Sequence, residues 1–470
     1  MRKLTALLAI ALAIALAALY FLWPGPQSVR ACLVTGDVAQ EFSLGAPPGV
    51  DYVKLPQGGR GLPLAELIEA AGPLSADFSV LLLSREGVFV QLKGDDLEDC
   101  YVSKKNGGWN TVAPLPSALI EDLSKIIVAD DTGDLAFGVN IISQEENLLH
   151  LTPGNALRQL LTCYPALDGE ENSVSRYRQK LVLPLTAVSG EEIRSVLVMG
   201  REGEYEEYQG NGFLEVGDRE INFLQAAGTT LLSNIAGVIV NPPPFSVMDT
   251  YTDALYYLNR GERVLVIFID GLGFYQYEEA RGREIIPNLA AFTEPHRVNT
   301  VYKPVTNAGF AAMITGLPPA DNGIWDRSVR EPGVTTIFDA LEKEDKTHVL
   351  VEGSGGILKL NTETIYSADL YKDGSTDDDV FGNALAQMER QPDFLMVHFH
   401  GFDDAGHTYG PLADETLNVL AAMDAYIGLL LKEWTGRVII VADHGMHQEG
   451  AGGSHGNFQY EDIFVPYFIN

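Results

Sequence analysis

Cysteine is scarce. Cys32, Cys100 and Cys163 are the only three in a chain of 470 residues, too few for a disulfide framework, and the odd count leaves at least one unpaired. No CxxC or Cys/His pair has metal-binding spacing, so cysteine chemistry is excluded as the main activity. Basic residues are also few, 32 Lys and Arg against 64 Asp and Glu, for a net charge of −32. Counterion release on nucleic acid or anionic lipid needs Lys and Arg, so neither is expected as the main partner. A small anionic substrate held through metal ions is compatible, because a bound cation inverts the local field. Long apolar runs are missing beyond the N-terminus, which excludes a polytopic membrane protein. A hydrophobic content of 46% excludes a disordered chain. The length fits about three domains.

The N-terminus is the exception. Arg2 and Lys3 precede an apolar run from Leu4 to Trp23, which as a helix spans a hydrocarbon core of about 30 Å. Tyr20, Phe21, Leu22 and Trp23 stand where signal cleavage would need small residues, and the basic pair marks the inner end. The reading is a signal anchor over residues 1–25. It implies one transmembrane helix, a single-pass cell-membrane location, and all later residues on the extracytoplasmic side. A cleaved signal peptide is the alternative.

From Ser28 to Pro244 short apolar strands alternate with Gly-rich turns and a few helices, an α+β pattern. Ser79-Val-Leu-Leu-Leu-Ser-Arg-Glu-Gly87 has an echo in Ser195-Val-Leu-Val-Met-Gly-Arg-Glu-Gly203, and Leu119–Val128 has one in Leu231–Val240. Two echoes in the same order predict a duplicated unit, residues 28–140 and 141–244, against chance similarity between Leu/Val-rich strands. Gly36-Asp-Val-Ala-Gln, Leu62-Pro-Leu-Ala-Glu-Leu-Ile and Arg85-Glu-Gly loosely resemble the molybdopterin-binding domain of sulfite-oxidase-like proteins. The reactive cysteine of that family has no clear counterpart, so the resemblance implies a fold and no cofactor. Asn241-Pro-Pro-Pro-Phe245 is the best linker in the chain.

Beyond it, over residues 246–470, the pattern becomes α/β. Val264–Ile269, His348–Val351, Phe394–Val397 and Val438–Ala442 are continuous apolar runs, as in strands buried on both faces of a parallel sheet. Helices are expected over Thr336–Glu344, Phe381–Glu389 and Asp414–Trp434. Ligands of open α/β sheets bind outside the carboxyl ends of the strands. Those ends carry Asp270, then Asp403 and His407, then Asp443 and His444, with His455 a little further on. Mixed carboxylate and imidazole donors suit Zn²⁺, with Mn²⁺ next. Singly, each has a plainer reading: Asp270 an N-cap, Asp403 and His407 an i,i+4 salt bridge, Asp443-His444 a turn. Asp404, His447, His398 and His400 are read as solvated or supporting neighbours, with His400 close enough to support a ligand. Thr306 opens a helix of small residues, where free N–H groups and the helix dipole favour an anion such as phosphate. It is either a simple N-cap or, beside a metal, a nucleophile.

The order Asp270-Gly, Thr306…Thr315-Gly316-Leu, Asp403-x-x-Gly-His407-x-x-Gly-Pro411, Asp443-His444-Gly-Met and His455-Gly resembles the alkaline phosphatase superfamily. The type I phosphodiesterase/nucleotide pyrophosphatase branch is the most similar, over about residues 264–470. The resemblance implies an alkaline-phosphatase-like parallel-sheet sandwich and two divalent metal ions. Asp270, Thr306, Asp443 and His444 would hold one, and Asp403, His407 and His455 the other. It implies a Thr306 alkoxide that attacks phosphorus to form a phosphothreonine, with a small phosphorylated substrate. The Asn that diester-cleaving relatives keep after the Thr-Gly motif has no counterpart in Gly323-Ile-Trp-Asp-Arg327. Either Arg327 clamps a dianionic phosphate, favouring monoesters, or Asn307 takes the role, a pattern similar to phosphonoacetate hydrolases. A surface salt bridge is the plainer reading of Arg327. A sulfatase would need Cys or Ser in a C/S-x-P-x-R setting, which is absent. A phosphoryl transferase and a non-catalytic binding module are the remaining alternatives.

Overall fold

A computed structural model describes residues 30–470, except 115, 133–137, 160–161, 172–173, 218–219, 371 and 373. The expected signal anchor, residues 1–25, lies outside the described residues, and among these no helix is long and apolar enough to cross a membrane. The described residues divide into two compact units, 30–132 with Thr152–Asn155, and 138–151 with Ala156–Asn470.

The C-terminal part of the second unit is built on a seven-stranded sheet. Its order is His296–Asn299, Phe464–Ile469, Arg437–Ala442, Val264–Ile269, Phe394–Phe399, His348–Gly353, Glu363–Ser367. The last five run parallel to one another. Every residue of Val264–Ile269 and of Phe394–Phe399 is buried, because a central parallel strand is covered by helices on both faces. The sheet is mixed rather than purely parallel: Phe464–Ile469 pairs antiparallel with its neighbours on both sides. Around it lie Ile337–Lys343, Asp377–Glu389 and Asp414–Glu433. Thr336 caps the first of these by accepting from Asp339 N. The second begins four residues before Phe381, because Asp377, Asp378 and Asp379 suit the first turn of a helix dipole.

Upstream, two five-stranded sheets share one plan. In the first unit the order is Phe42–Ser43, Leu33–Gly36, Leu123–Asp130, Phe78–Ser84, Phe89–Lys93. In the second it is Asn147–Leu151, Val139–Ile142, Ile235–Val240, Ser195–Gly200, Tyr205–Gln209. Each has one parallel pair between antiparallel ones. The echoed segments occupy equivalent strands, since Val80 pairs with Val128 as Val196 pairs with Val240. In the first unit Cys32 is buried, and that burial pushes its thiol up to about 12.

The second of these sheets packs on the C-terminal sheet domain. Ile142, Leu197, Met199, Ala236 and Ile239 form one buried apolar cluster with Tyr302, Phe458, Ile463 and Phe464.

Candidate active site

Parallel register assembles the site. Ile269 pairs with Ala442 on one side and Phe399 on the other, so the residues following these strand ends emerge together. Asp270 follows the first strand and Asp443 and His444 the second. The third leads into the helix Gly401–Tyr409, which places Asp403 and His407 one turn apart. His455 follows the hairpin His447–Glu449/Gly452–Ser454. Thr306 is the first residue of the fully buried helix Thr306–Thr315. Small residues allow that helix to lie close: a Cβ on Gly309 would meet Asp443 O at 2.6 Å.

Four groups of potential ligand atoms result among the described residues, the three donor atoms of each within 4.8 Å of one another. Asp270, Asp443 and His444 form one, and Asp403, His407 and His455 another; the remaining two, Asp270/His398/His400 and His400/Asp403/Asp404, share a carboxylate with these. Thr306 Oγ1 stands 3.5 Å from Asp270 Oδ1 and 3.4 Å from His444 Nε2. His444 Nε2 is 3.3 Å from Asp443 Oδ2, and His407 Nε2 is 3.3 Å from Asp403 Oδ2. The His444 and His455 rings stack at 3.8 Å, which brings the groups side by side.

The donors fit divalent cations on two counts. Asp403 Oδ1 and Asp443 Oδ2 are buried oxygens with no hydrogen-bond partner, a costly state that a cation relieves. The three imidazoles are oriented alike: Nδ1 of His407, His444 and His455 lies 2.9, 2.9 and 3.0 Å from the carbonyls of Gly453, Gly445 and Pro304. Each Nδ1–H donates to the backbone and turns Nε2 into the site, as metal-bound histidines do.

Electrostatics divide the carboxylates. Burial, then the charge of Asp270, pushes Asp443 up to about 7. Burial acts on Asp270 too, but the flanking His400 and His398 outweigh it and hold this carboxyl well below the usual range. Burial and the charge of His444 push His455 down to about 3, so that ring is neutral.

A cleft of about 270 Å³ opens over these groups, lined by Thr306, Asn307, Arg327 and Arg330 with Asp403, His407 and others. Asn307 is buried, its Nδ2 donating to Val329 O at 3.2 Å. Arg327 is exposed and reaches no acid; its Nη2 lies 3.1 Å from His455 Nε2. His447 pairs instead with Asp462 at 2.8 Å. The sequence did not single out Arg330, which joins the cleft wall by donating to the carbonyls of Gly355, Gly356 and Ile357. Of the residues read as solvated or supporting, His398 is buried against Asp270, His400 also contacts Asp270, and the exposed Asp404 lines the cleft. Their positions at the end of the Phe394–Phe399 strand were the signal for these three.

Residues 357–464 match the type I phosphodiesterase/nucleotide pyrophosphatase family. Ectonucleotide pyrophosphatase/phosphodiesterase family member 1 of Rattus norvegicus is 23% identical over 193 residues, 35% of this chain and 21% of its own length. The Homo sapiens counterpart is 25% identical over 186 residues, 33% of this chain and 20% of its own. The chain thus spans about a fifth of the length of these relatives. Among solved structures, phosphonoacetate hydrolase from Sinorhizobium meliloti 1021 with phosphonoformate is 18% identical over 39% of this chain and 57% of its own, with a TM-score of 0.33. This match and these relatives support the resemblance to the type I phosphodiesterase/nucleotide pyrophosphatase branch of the alkaline phosphatase superfamily.

Proposed function

We propose that this protein is a metal-dependent hydrolase of phosphoester bonds that works through a phosphothreonine at Thr306. The observation that carries the reading is a single hydroxyl, Thr306 Oγ1, at a buried helix start beside two carboxylate/imidazole groups. Asp270, Thr306, Asp443 and His444 would hold one divalent cation, and Asp403, His407 and His455 the other. Zn²⁺ is the first candidate and Mn²⁺ the second. When bound, such a pair lowers the pKa of the hydroxyl and neutralises charge on the leaving oxygen.

The remaining steps belong to the chain's own residues. Thr306 Oγ1 gives up its proton to solvent and attacks phosphorus in line; the bond from phosphorus to the leaving oxygen breaks, and that oxygen takes a proton from water. Water then cleaves the bond from phosphorus to Thr306 Oγ1, releasing phosphate from a monoester or a phosphomonoester from a diester and restoring the hydroxyl. The Asn307 carboxamide, anchored on Val329, and the exposed Arg327 guanidinium donate to phosphoryl oxygens. The Leu4–Trp23 run supports membrane anchorage with this chemistry on the extracytoplasmic side. Asn307 directly beside the nucleophile favours a second reading, hydrolysis of a phosphonate.

The test compares p-nitrophenyl phosphate, bis-p-nitrophenyl phosphate and phosphonoacetate on purified protein supplied with Zn²⁺. Diester preference supports a phosphodiesterase. Monoester preference with a raised KM in Arg327→Ala makes Arg327 the dianion clamp. Thr306→Ala as active as wild type overturns the nucleophile.

A further inference from the structure

Behind Asp270 lies a layer that this chemistry does not use. His398 is 2% exposed, and its ring stacks on Phe268 with centroids 3.9 Å apart and planes inclined by 2°. The stack fixes the plane of the imidazole and so the directions of its two nitrogens. Nε2 lies 3.1 Å from Asp270 Oδ2, and Nδ1 lies 3.8 Å from Glu352 Oε2. Glu352 is itself buried, near the end of the adjacent strand His348–Gly353, and its Oε1 has no hydrogen-bond partner. A carboxylate survives such burial only beside a compensating group, and the His398 ring faces it.

The two oxygens of Asp270 therefore have different surroundings. Oδ2 is taken by His398 and by His400. Oδ1 faces Thr306 Oγ1 at 3.5 Å and His444 Nε2 at 3.4 Å. Glu352 also reaches the cleft wall, since Ile357 N donates to its Oε2 at 3.4 Å.

We propose that His398, backed by Glu352, is a positioning residue that pins Asp270 Oδ2 and so presents Oδ1 alone to Thr306 and to the cation of that group. The inference rests on the two-cation reading above. Without His398, Oδ2 rests on the half-exposed His400 alone, and ligands that lose an outer hydrogen-bond partner bind metal about 10- to 100-fold more weakly.

Three substitutions separate positioning from packing. His398→Phe keeps a ring to stack on Phe268 and removes the donor. His398→Gln restores an amide donor, and Glu352→Gln keeps shape while removing charge. Stepwise Zn²⁺ removal by a competing chelator from the purified protein reads the affinity of each cation. His455→Ala, which disables the other group, assigns the steps. In His398→Phe the Asp270-group cation is expected to bind about 10- to 100-fold more weakly, while the Asp403-group cation keeps its affinity and reports an intact fold. Glu352→Gln should shift the same step in the same direction, and His398→Gln should recover part of the loss. Unchanged affinity in His398→Phe, or equal loss of both cations, overturns the positioning role. A wild-type protein that takes up no cation overturns the underlying reading and this role with it.

Discussion

One imidazole shows how the site handles protons. His407 donates from Nε2 to Asp403, and that bond, outweighing burial, raises the ring from its ordinary 6.5 to about 9. Because the folded value is raised, the pair stabilises the cation-free fold fully below about pH 6.5, and this contribution is lost as pH rises through about 9. A divalent cation needs the neutral ring, so cation entry displaces the proton and tightens with pH over the same window. Zn²⁺ titrations at about pH 8 in buffers of differing ionisation enthalpy should read at least one proton released per protein. His407→Ala should remove about one from that count; an unchanged count would exclude His407 as a ligand. That Asp270, Asp403, Asp443 and His444 converge was legible from their places after apolar runs, and His407 from its spacing to Asp403; His455, beyond a Gly-rich hairpin, was indicated by the family resemblance. Glu352 was not. It lies near the end of its own strand, 46 residues before His398, and nothing local marks a glutamate there as buried.

The helix Thr306–Thr315 carries the proposed nucleophile, Thr306, against the Asp443 backbone, and its small residue at Gly309 has that contact as its physical cause. The Cβ of an alanine at Gly309 would approach the Asp443 carbonyl to 2.6 Å and Asp443 Cβ to 2.7 Å. Gly309→Ala is expected to cost about 1–3 kcal/mol of stability, the usual range for overpacking, seen as a lower urea midpoint. It should also lower kcat, because Thr306 and Asp443 move apart. Wild-type kcat with lowered stability would mean that the helix position does not set the chemistry. At this scale the long apolar strands and the three expected helices were legible, since continuous burial writes itself as continuous Val, Ile and Phe. The edge strands His296–Asn299 and Glu363–Ser367 were not, being short and polar. The antiparallel Phe464–Ile469 was hidden by Pro466, which reads against a strand.

In the whole molecule the second of the two similar five-stranded sheets acts as a buttress for the site. Asn140 Nδ2 donates to Phe458 O at 2.6 Å, and Tyr460 N donates to Asn147 Oδ1 at 3.0 Å. Gly237 leaves room for the Phe458 ring, which a Cβ there would meet at 2.1 Å. These contacts grip the segment just after His455, and Tyr205 OH accepts from Asn299 Nδ2 at 2.9 Å on the strand leading toward Thr306. Phe458→Ala is expected to cost about 3–5 kcal/mol, as large-to-small core changes do. It should also weaken the Asp403-group cation more than the Asp270-group one. Equal effects on both cations would deny the buttress a particular link to His455. Apolar faces on either side of the expected linker Asn241–Phe245 are buried together. No single segment announces such a contact; it is a property of two distant surfaces.

The account turns on a covalent bond to one oxygen. The most direct measurement quenches the Zn²⁺-loaded protein in acid during steady turnover and maps phosphate by peptide mass spectrometry. The account predicts phosphate on the peptide that bears Thr306, at that residue, and none in Thr306→Ala or after chelation. Full turnover with Thr306 unmodified at every quench time, and undiminished in Thr306→Ala, would contradict it.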